Sequence, residues 1–265
     1  MSVLIVKGII MKKNRLYEFK TSQLLRFNKL FVIGDLHGDL NALQSLLTKI
    51  DPAKDCIIFL GDYADRGSFG IEIIDVISSL TKKYPDNIVA LKGNHEDYTK
   101  LGQPTFYPCD LINEAIRMRE SWETYFFREF NPFIKNLYLA AIIPHELLFV
   151  HGGISSKITS IDDLRHPAKE IEKDILWSDP LDKYGEYPNR RGAGVEFGID
   201  VTTKTCKMIG IKKIIRSHEP QKALRGPCYE HNGKIVTTSS TSVYGGNPFI
   251  LDINPKNFFD TSFLF

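Results

Sequence analysis

The sequence predicts an α/β protein built on a largely parallel sheet, and three observations carry that expectation. Between Leu30 and Leu91, strand-length apolar runs alternate with runs of helical periodicity. Each of those strand runs ends in a glycine-bearing turn crowded with Asp, His or Asn. From Lys213 onward the chain breaks into short β-branched runs separated by Gly, Pro and Asn.

Taken in order, positions 3–20 place apolar runs around Lys12-Lys13-Asn14-Arg15, the pattern of a hairpin laid against the sheet. Positions 1–28 are read as an N-terminal extension of one domain spanning 1–265. Leu30-Phe31-Val32-Ile33 is the first buried strand, after which Leu40, Leu43, Leu46, Leu47 and Ile50 recur at helical spacing behind Asp39, a capping residue. Cys56-Ile57-Ile58-Phe59-Leu60 is the next strand. A helix over 70–84 follows, with Ile71, Ile74, Ile77 and Leu80 turned inward and Pro85 closing it, before the strand Ile88-Val89-Ala90-Leu91. Positions 102–136 are helical and aromatic, a stripe that reads as core packing. A hairpin-like pair, 137–143 and 146–150, leads into His151, and 180–191 reads as a loop draped over the mouth of a site. The late runs at 213–216, 234–238 and 249–253 are assigned to a second sheet stacked on the first.

The composition excludes several classes. With 265 residues, 43% hydrophobic and 25% charged, the chain can bury one large core. A formal charge of +2, with Lys and Arg spread along the chain, leaves no footprint for a nucleic-acid partner. No apolar stretch is long enough for a membrane span, and the apolar start is broken by Lys7 and Gly8 without a cleavage pattern. Cys56, Cys109, Cys206 and Cys228 are far apart and form no Cys-x-x-Cys pair, so reduced thiols and a cytoplasmic location are expected.

A Gly-Asp pair after one strand is an ordinary turn. Here five runs end in polar clusters: Gly34-Asp35-Leu36-His37-Gly38, Gly61-Asp62-Tyr63-Ala64-Asp65-Arg66-Gly67, Gly93-Asn94-His95-Glu96, His151-Gly152-Gly153 and Arg216-Ser217-His218-Glu219. Carboxylate, imidazole and amide donors converging at one sheet edge are what a metal site needs, and the lack of thiolate suits manganese, iron or zinc. Asp35, His37, Asp62, Asn94, His151 and His218 are too many ligands for one catalytic ion that keeps a water. They fit two ions sharing a carboxylate. Such a pair, about 3.5 to 4 Å apart, acidifies a water and neutralises a phosphoryl group. A phosphoryl dianion also needs paired cationic donors, which arginine supplies better than lysine.

These five motifs, together with Trp177-Ser178-Asp179-Pro180 and Arg191-Gly192-Ala193-Gly194-Val195-Glu196-Phe197-Gly198, resemble in content and order the phosphoprotein phosphatases. These are the metal-dependent Ser/Thr phosphatases among the calcineurin-like metallophosphatases, and the resemblance runs from about 34 to 246. It implies a central β-sandwich flanked by helices. It also implies two divalent ions, manganese in vitro with iron and zinc as alternatives. Asp35, His37 and Asp62 would hold the first ion and Asp62, Asn94, His151 and His218 the second, with Asp62 bridging. Arg66 and Arg191 match the phosphate clamp, His95 the general acid and Asp65 its partner; substrate contacts fall to Arg66, Asn94, Arg191 and Tyr244.

The implied reaction is in-line attack of metal-bound hydroxide on phosphoserine or phosphothreonine in protein partners, with dual specificity towards phosphotyrosine as an extension. A dinucleoside polyphosphate hydrolase such as a diadenosine tetraphosphatase is the alternative enzyme, and a phosphate-binding scaffold without turnover the alternative of another class. The scaffold would not need His95. Ser240-Thr241-Ser242-Val243-Tyr244-Gly245-Gly246 departs from the Ser-Ala-Pro-Asn-Tyr-Cys-Gly loop of eukaryotic members, which suits a compact prokaryotic-type phosphatase. No residue in these motifs sets an oligomeric state.

Overall fold

Apolar runs too short for helices and buried on both faces form the strands that lead into the site. The structure, a computed structural model, describes residues 14–265. The first part contains β1 (Leu16–Glu18), α1 (Thr21–Leu24), β2 (Leu30–Ile33), α2 (Leu40–Leu47), β3 (Cys56–Phe59), α3 (Gly70–Lys83) and β4 (Ile88–Ala90). A helical segment follows, with α4 (Leu111–Met118), α5 (Trp122–Tyr125), a π turn (Phe126–Phe130) and α6 (Asn131–Asn136). Next come β5 (Ala140–Ile143), β6 (Leu147–Val150), α7 (Asp162–Arg165), α8 (Lys169–Trp177), β7 (Asp179–Pro180), β8 (Glu186–Pro188) and β9 (Val195–Phe197). The chain ends with α9 (Ile199–Ile209), β10 (Lys213–Arg216), β11 (Cys228–Glu230), β12 (Ile235–Thr237), β13 (Ile250–Asn254) and β14 (Asn257–Leu264).

Two sheets make a sandwich. One runs β14-β13-β2-β3-β4, and the other β1-β5-β6-β10-β12-β11. β2, β3 and β4 are parallel, as are β6, β10 and β12. The two-residue repeat of a strand explains the unbroken apolar runs. Leu30, Val32, Cys56, Ile58 and Leu60 face the layer between the sheets, where they join Ala141, Phe149, Ile215 and Val236. Their neighbours Phe31, Ile33, Ile57 and Phe59 face outward into a core closed by α2, α3 and the aromatic helical segment. On the far side, Leu148, Val150 and Ile214 pack with Ile171 and Ile175 of α8 and Val201 and Cys206 of α9.

Several expectations hold in detail. The Asp39 carboxylate accepts the Ala42 amide at 3.0 Å and caps α2. Tyr125, Phe126 and Phe130 are buried, as a packing stripe requires. β5 and β6 pair antiparallel in the anticipated hairpin.

Others are corrected. The 249–253 run does not join the second sheet; as β13 it lies antiparallel to β2 in the first, because a short run that turns Leu251 and Ile253 into the layer between the sheets fits the inner face of either sheet. The segment 180–191 is not a free loop: β7, β8 and β9 form a small third sheet, with Asp179 paired to Glu196 and Tyr187 to Glu196. The ligand-bearing turns come from two sheets rather than one edge, β2, β3 and β4 on one side and β6 and β10 on the other. The first part of the anticipated N-terminal hairpin, up to position 13, lies outside the described residues. Its remainder contains β1, which pairs in parallel with β5. Among the described residues no helix is long and apolar enough to cross a membrane.

Candidate metal centre

The turns after β3 and β4 touch backbone to backbone. Gly61 has φ of +105°, and a Cβ there would lie 2.4 Å from the Gly93 nitrogen. A Cβ on Gly93 would lie 2.2 Å from Asp62 Oδ1. Only glycine fits at both positions. Glu96 ties the turns together: its Oε2 accepts the amides of Asp62 and Gly93, each at 2.9 Å, and its Oε1 accepts that of Tyr63 at 3.0 Å. Burial, with Asp62 beside it, pushes the Glu96 carboxyl up to about 7.

Left-handed backbone concentrates in the same turns. Of the eight non-glycine residues with positive φ among the described residues, five are His37, Asp62, Asp65, Arg66 and His218. Each such conformation costs of order 1 to 3 kcal/mol and persists where its surroundings enforce it, which marks these turns as shaped for a task beyond connecting strands.

The predicted ligands do meet. Asp35 Oδ1 accepts the Ser217 hydroxyl at 2.6 Å and the His218 amide at 3.1 Å, and lies 3.8 Å from His151 Nδ1. Asp35 Oδ2 is buried without a partner. His37 Nδ1 sits 3.1 Å from the Ala64 carbonyl, so Nδ1 carries the proton and Nε2 is left bare, 3.5 Å from Asp62 Oδ2 and 3.9 Å from Asp35 Oδ2. His151 is held the same way, Nδ1 to the Leu60 carbonyl at 2.9 Å. Its Nε2 then faces Asn94 Oδ1 at 2.9 Å, His218 Nδ1 at 3.1 Å and Asp62 Oδ1 at 3.3 Å. His218 Nε2 is also buried without a partner.

This is an arrangement of converging lone pairs that calls for positive charge at its centre. The groups Asp62, His151, His218 and His37, Asp62, His95 each bring their donor atoms within 4.8 Å, and they share Asp62. In the second group Asp35 is a better third donor than His95, because His95 Nδ1 is bound to Asp65 whereas Asp35 Oδ2 has nothing else to bind. Electrostatics agree with the geometry. Burial opposes charge on His151, but Asp62 and Asp35 outweigh it and raise its pKa to about 9; a field that would hold a proton there would hold a cation. Burial opposes ionisation of Asp62 too, yet His151, His95 and His37 keep it well below the ordinary carboxylate range. The residues present therefore fit two divalent cations.

Around the centre stand the other predicted residues. His95 Nδ1 is 2.6 Å from Asp65 Oδ2, and Asp65 Oδ1 accepts the Asp110 and Leu111 amides at 2.5 and 2.8 Å, at the start of α4. Burial works against charge on His95, but Asp62 and Asp65 raise its pKa above the usual imidazole value. Arg66 donates to the Pro108 carbonyl at 3.0 Å, and Tyr244 lies edge-on to His37 with ring centroids 5.5 Å apart. Arg191 donates through Nε to Asp179 at 2.8 Å, and the other Asp179 oxygen accepts from Arg216 Nη2 at 2.9 Å. Arg216 is fully buried. A pocket of about 130 Å³ is lined by His37, Asp62, Arg66, Asn94, His95, Arg191, His218 and Tyr244 among others.

Glu96, Asp179, Arg216 and Ser217 stand in the motifs but received no role from the sequence. A signal was present for Glu96, an acid three residues after a glycine where backbone amides need an acceptor.

The fold and the pocket are those of a metallophosphoesterase domain. Residues 29–222 match the calcineurin-like phosphoesterase family, and the chain belongs to it. It is 35% identical over 221 residues to a serine/threonine-protein phosphatase of Caenorhabditis elegans, a match covering 80% of this chain and 47% of that protein. It is 31% identical over 255 residues to serine/threonine-protein phosphatase T of Aspergillus oryzae, covering 90% and 50%. The chain thus spans about half the length of these relatives. A protein serine/threonine phosphatase from Saccharomyces cerevisiae superposes with a TM-score of 0.75 at 26% identity, over 92% of this chain and 78% of that one.

Proposed function

We propose that the protein is a metal-dependent phosphomonoesterase that dephosphorylates serine and threonine side chains of proteins. One observation carries the reading: a pocket of about 130 Å³ in which donors sharing Asp62 face Arg66 and Arg191. That space has room for a phosphoryl group, and the wider space open beside it takes the rest of a substrate. The named relatives support the same substrate class.

Asp35, His37 and Asp62 would hold one cation, and Asp62, Asn94, His151 and His218 the other, with manganese the first ion to try. When bound, two such cations supply Lewis-acid charge to phosphate oxygens and acidify a water. The remaining work falls to the chain. Arg66 and Arg191 bind the phosphoryl oxygens, and Asp179, fixed by the buried Arg216, holds Arg191 through its Nε. His95 gives the proton that the departing alkoxide requires, through Nε2, while the 2.6 Å contact of Nδ1 with Asp65 holds the ring and favours its charged form. The Phe106 ring, 4.4 Å from that of His95, keeps water from its flank.

The test is protein stripped of metal, reloaded with manganese and offered phosphoserine peptide, phosphotyrosine peptide and diadenosine tetraphosphate side by side. Preference for phosphoserine peptide is expected. Higher efficiency on diadenosine tetraphosphate would replace this reading with nucleotide hydrolysis.

A further inference from the structure

Beside the small pocket, and sharing Arg66, Asn94, His95 and Arg191 with it, a groove of about 1330 Å³ runs between the 97–107 segment and α8. Its charge is lopsided. Asp97 and Glu172 are its acids, and both are already engaged: Lys92 reaches Asp97 at 2.6 Å and Glu172 at 3.2 Å, and Arg15 reaches Glu172 at 3.3 Å. Lys100, Lys169 and Lys173 also line it. All three are exposed, and none has an ion-pair partner among the described residues. The groove therefore carries three positive charges without an ion-pair partner among the described residues, Lys100, Lys169 and Lys173, whereas Arg66 and Arg191 lie near Asp110 and Asp179, in a chain whose whole formal charge is only +2. At one rim Tyr107 is 92% exposed, an aromatic face with nothing packed on it.

We propose that this groove selects substrates in which negative charge flanks the phosphorylated residue: an acidic peptide segment whose carboxylates or further phosphates meet Lys100, Lys169 and Lys173 while the target phosphoryl group sits between Arg66 and Arg191. The proposal rests on the protein-phosphatase reading. Its physical basis is complementarity. Exposed lysines paired across a wet interface add modest affinity each, but they raise the encounter rate and penalise a basic flank by like-charge contact. They also lie outside the reacting centre, so they sort substrates without altering chemistry on a small one.

The experiment uses manganese-loaded protein and four phosphoserine peptides identical except for flanks of Asp/Glu, of a second phosphoserine, of Ala, or of Lys. Two quantities are read: kcat/KM for each peptide, and its Ki against hydrolysis of p-nitrophenyl phosphate. The acidic and doubly phosphorylated peptides are expected to exceed the Lys peptide by about tenfold or more, with the advantage shrinking as salt screens exposed charges. Their ratio to each other tells whether carboxylate or phosphate is preferred. Combining Lys100→Glu, Lys169→Glu and Lys173→Glu should abolish or invert the ranking, and the three Lys→Gln changes should flatten it. Turnover of p-nitrophenyl phosphate should stay within about twofold in both variants, because it senses only the small pocket.

Equal kcat/KM and equal Ki across the peptides would overturn the groove proposal while leaving the phosphatase reading intact. Acidic peptides that inhibit best yet are never hydrolysed would uphold the groove and overturn the phosphatase reading. Charge reversal that cripples diadenosine tetraphosphate binding while leaving the peptide ranking unchanged would assign the groove to a nucleotide and refute the peptide proposal.

Discussion

Replacing Glu96 by Gln preserves shape while removing one acceptor, and it tests the joint between the two turns that carry Asp62 and Asn94. The carboxylate takes three buried amides, from Asp62, Gly93 and Tyr63. A carboxamide has one acceptor oxygen, so whichever way it turns, its NH2 faces at least one of those N–H groups. A lost hydrogen bond to a charged acceptor is worth about 1.5 to 3 kcal/mol, and a buried N–H left unmatched costs about 1 to 3 kcal/mol. Because burial already pushes the Glu96 carboxyl up to about 7, it is partly neutral at neutral pH and the lower ends of both ranges apply.

The sum is about 2.5 kcal/mol, which for a chain of this size lowers Tm by roughly 5 to 10 °C. The assay is a thermal melt of the metal-free protein followed by a manganese titration. Since the turns holding Asp62 and Asn94 would drift apart, manganese affinity is expected to fall about tenfold or more, the scale of a disturbed supporting shell. A variant melting within about 2 °C of the parent and binding manganese equally well would refute the assigned joint.

His95→Asn should lower turnover about 100-fold or more on a phosphoserine peptide and much less on p-nitrophenyl phosphate, whose leaving group needs no proton; equal losses on both would remove His95 from proton delivery. Asp62→Asn should lose tight binding of both cations, and elemental analysis finding two full equivalents after dialysis would contradict a shared carboxylate. Gly93→Ala should weaken metal binding, because its Cβ would fall 2.2 Å from Asp62 Oδ1; unchanged manganese affinity with an unchanged Tm would show that the turn accommodates a side chain.

The parts of the fold legible in the sequence were those where local chemistry has one solution. A strand run ending in Gly and Asp, or a helix with Asp39 ahead of Leu40, leaves little freedom, and the ligands of the candidate centre lie in such places. Sheet membership was not legible for 249–253, since Ile250 and Leu251 would satisfy either sheet; pairing with β2, more than two hundred positions earlier, decides it. The short strands β7 to β9 were hidden by Pro180, Gly185 and Pro188, which read as loop because their pairing depends on partners rather than propensity.

The support of the site was less visible still. Asp65 is oriented by the Asp110 and Leu111 amides some 45 positions away, and Arg191 by Asp179 and Arg216, contacts that no local pattern encodes.

Anomalous diffraction at the manganese edge, from crystals grown with that ion, tests the central claim most directly. Two peaks should lie in the pocket, one against Asp35 and His37, the other against Asn94, His151 and His218, with the Asp62 carboxylate reaching both. A single peak, or two that leave Asp62 unattached to one of them, would contradict it.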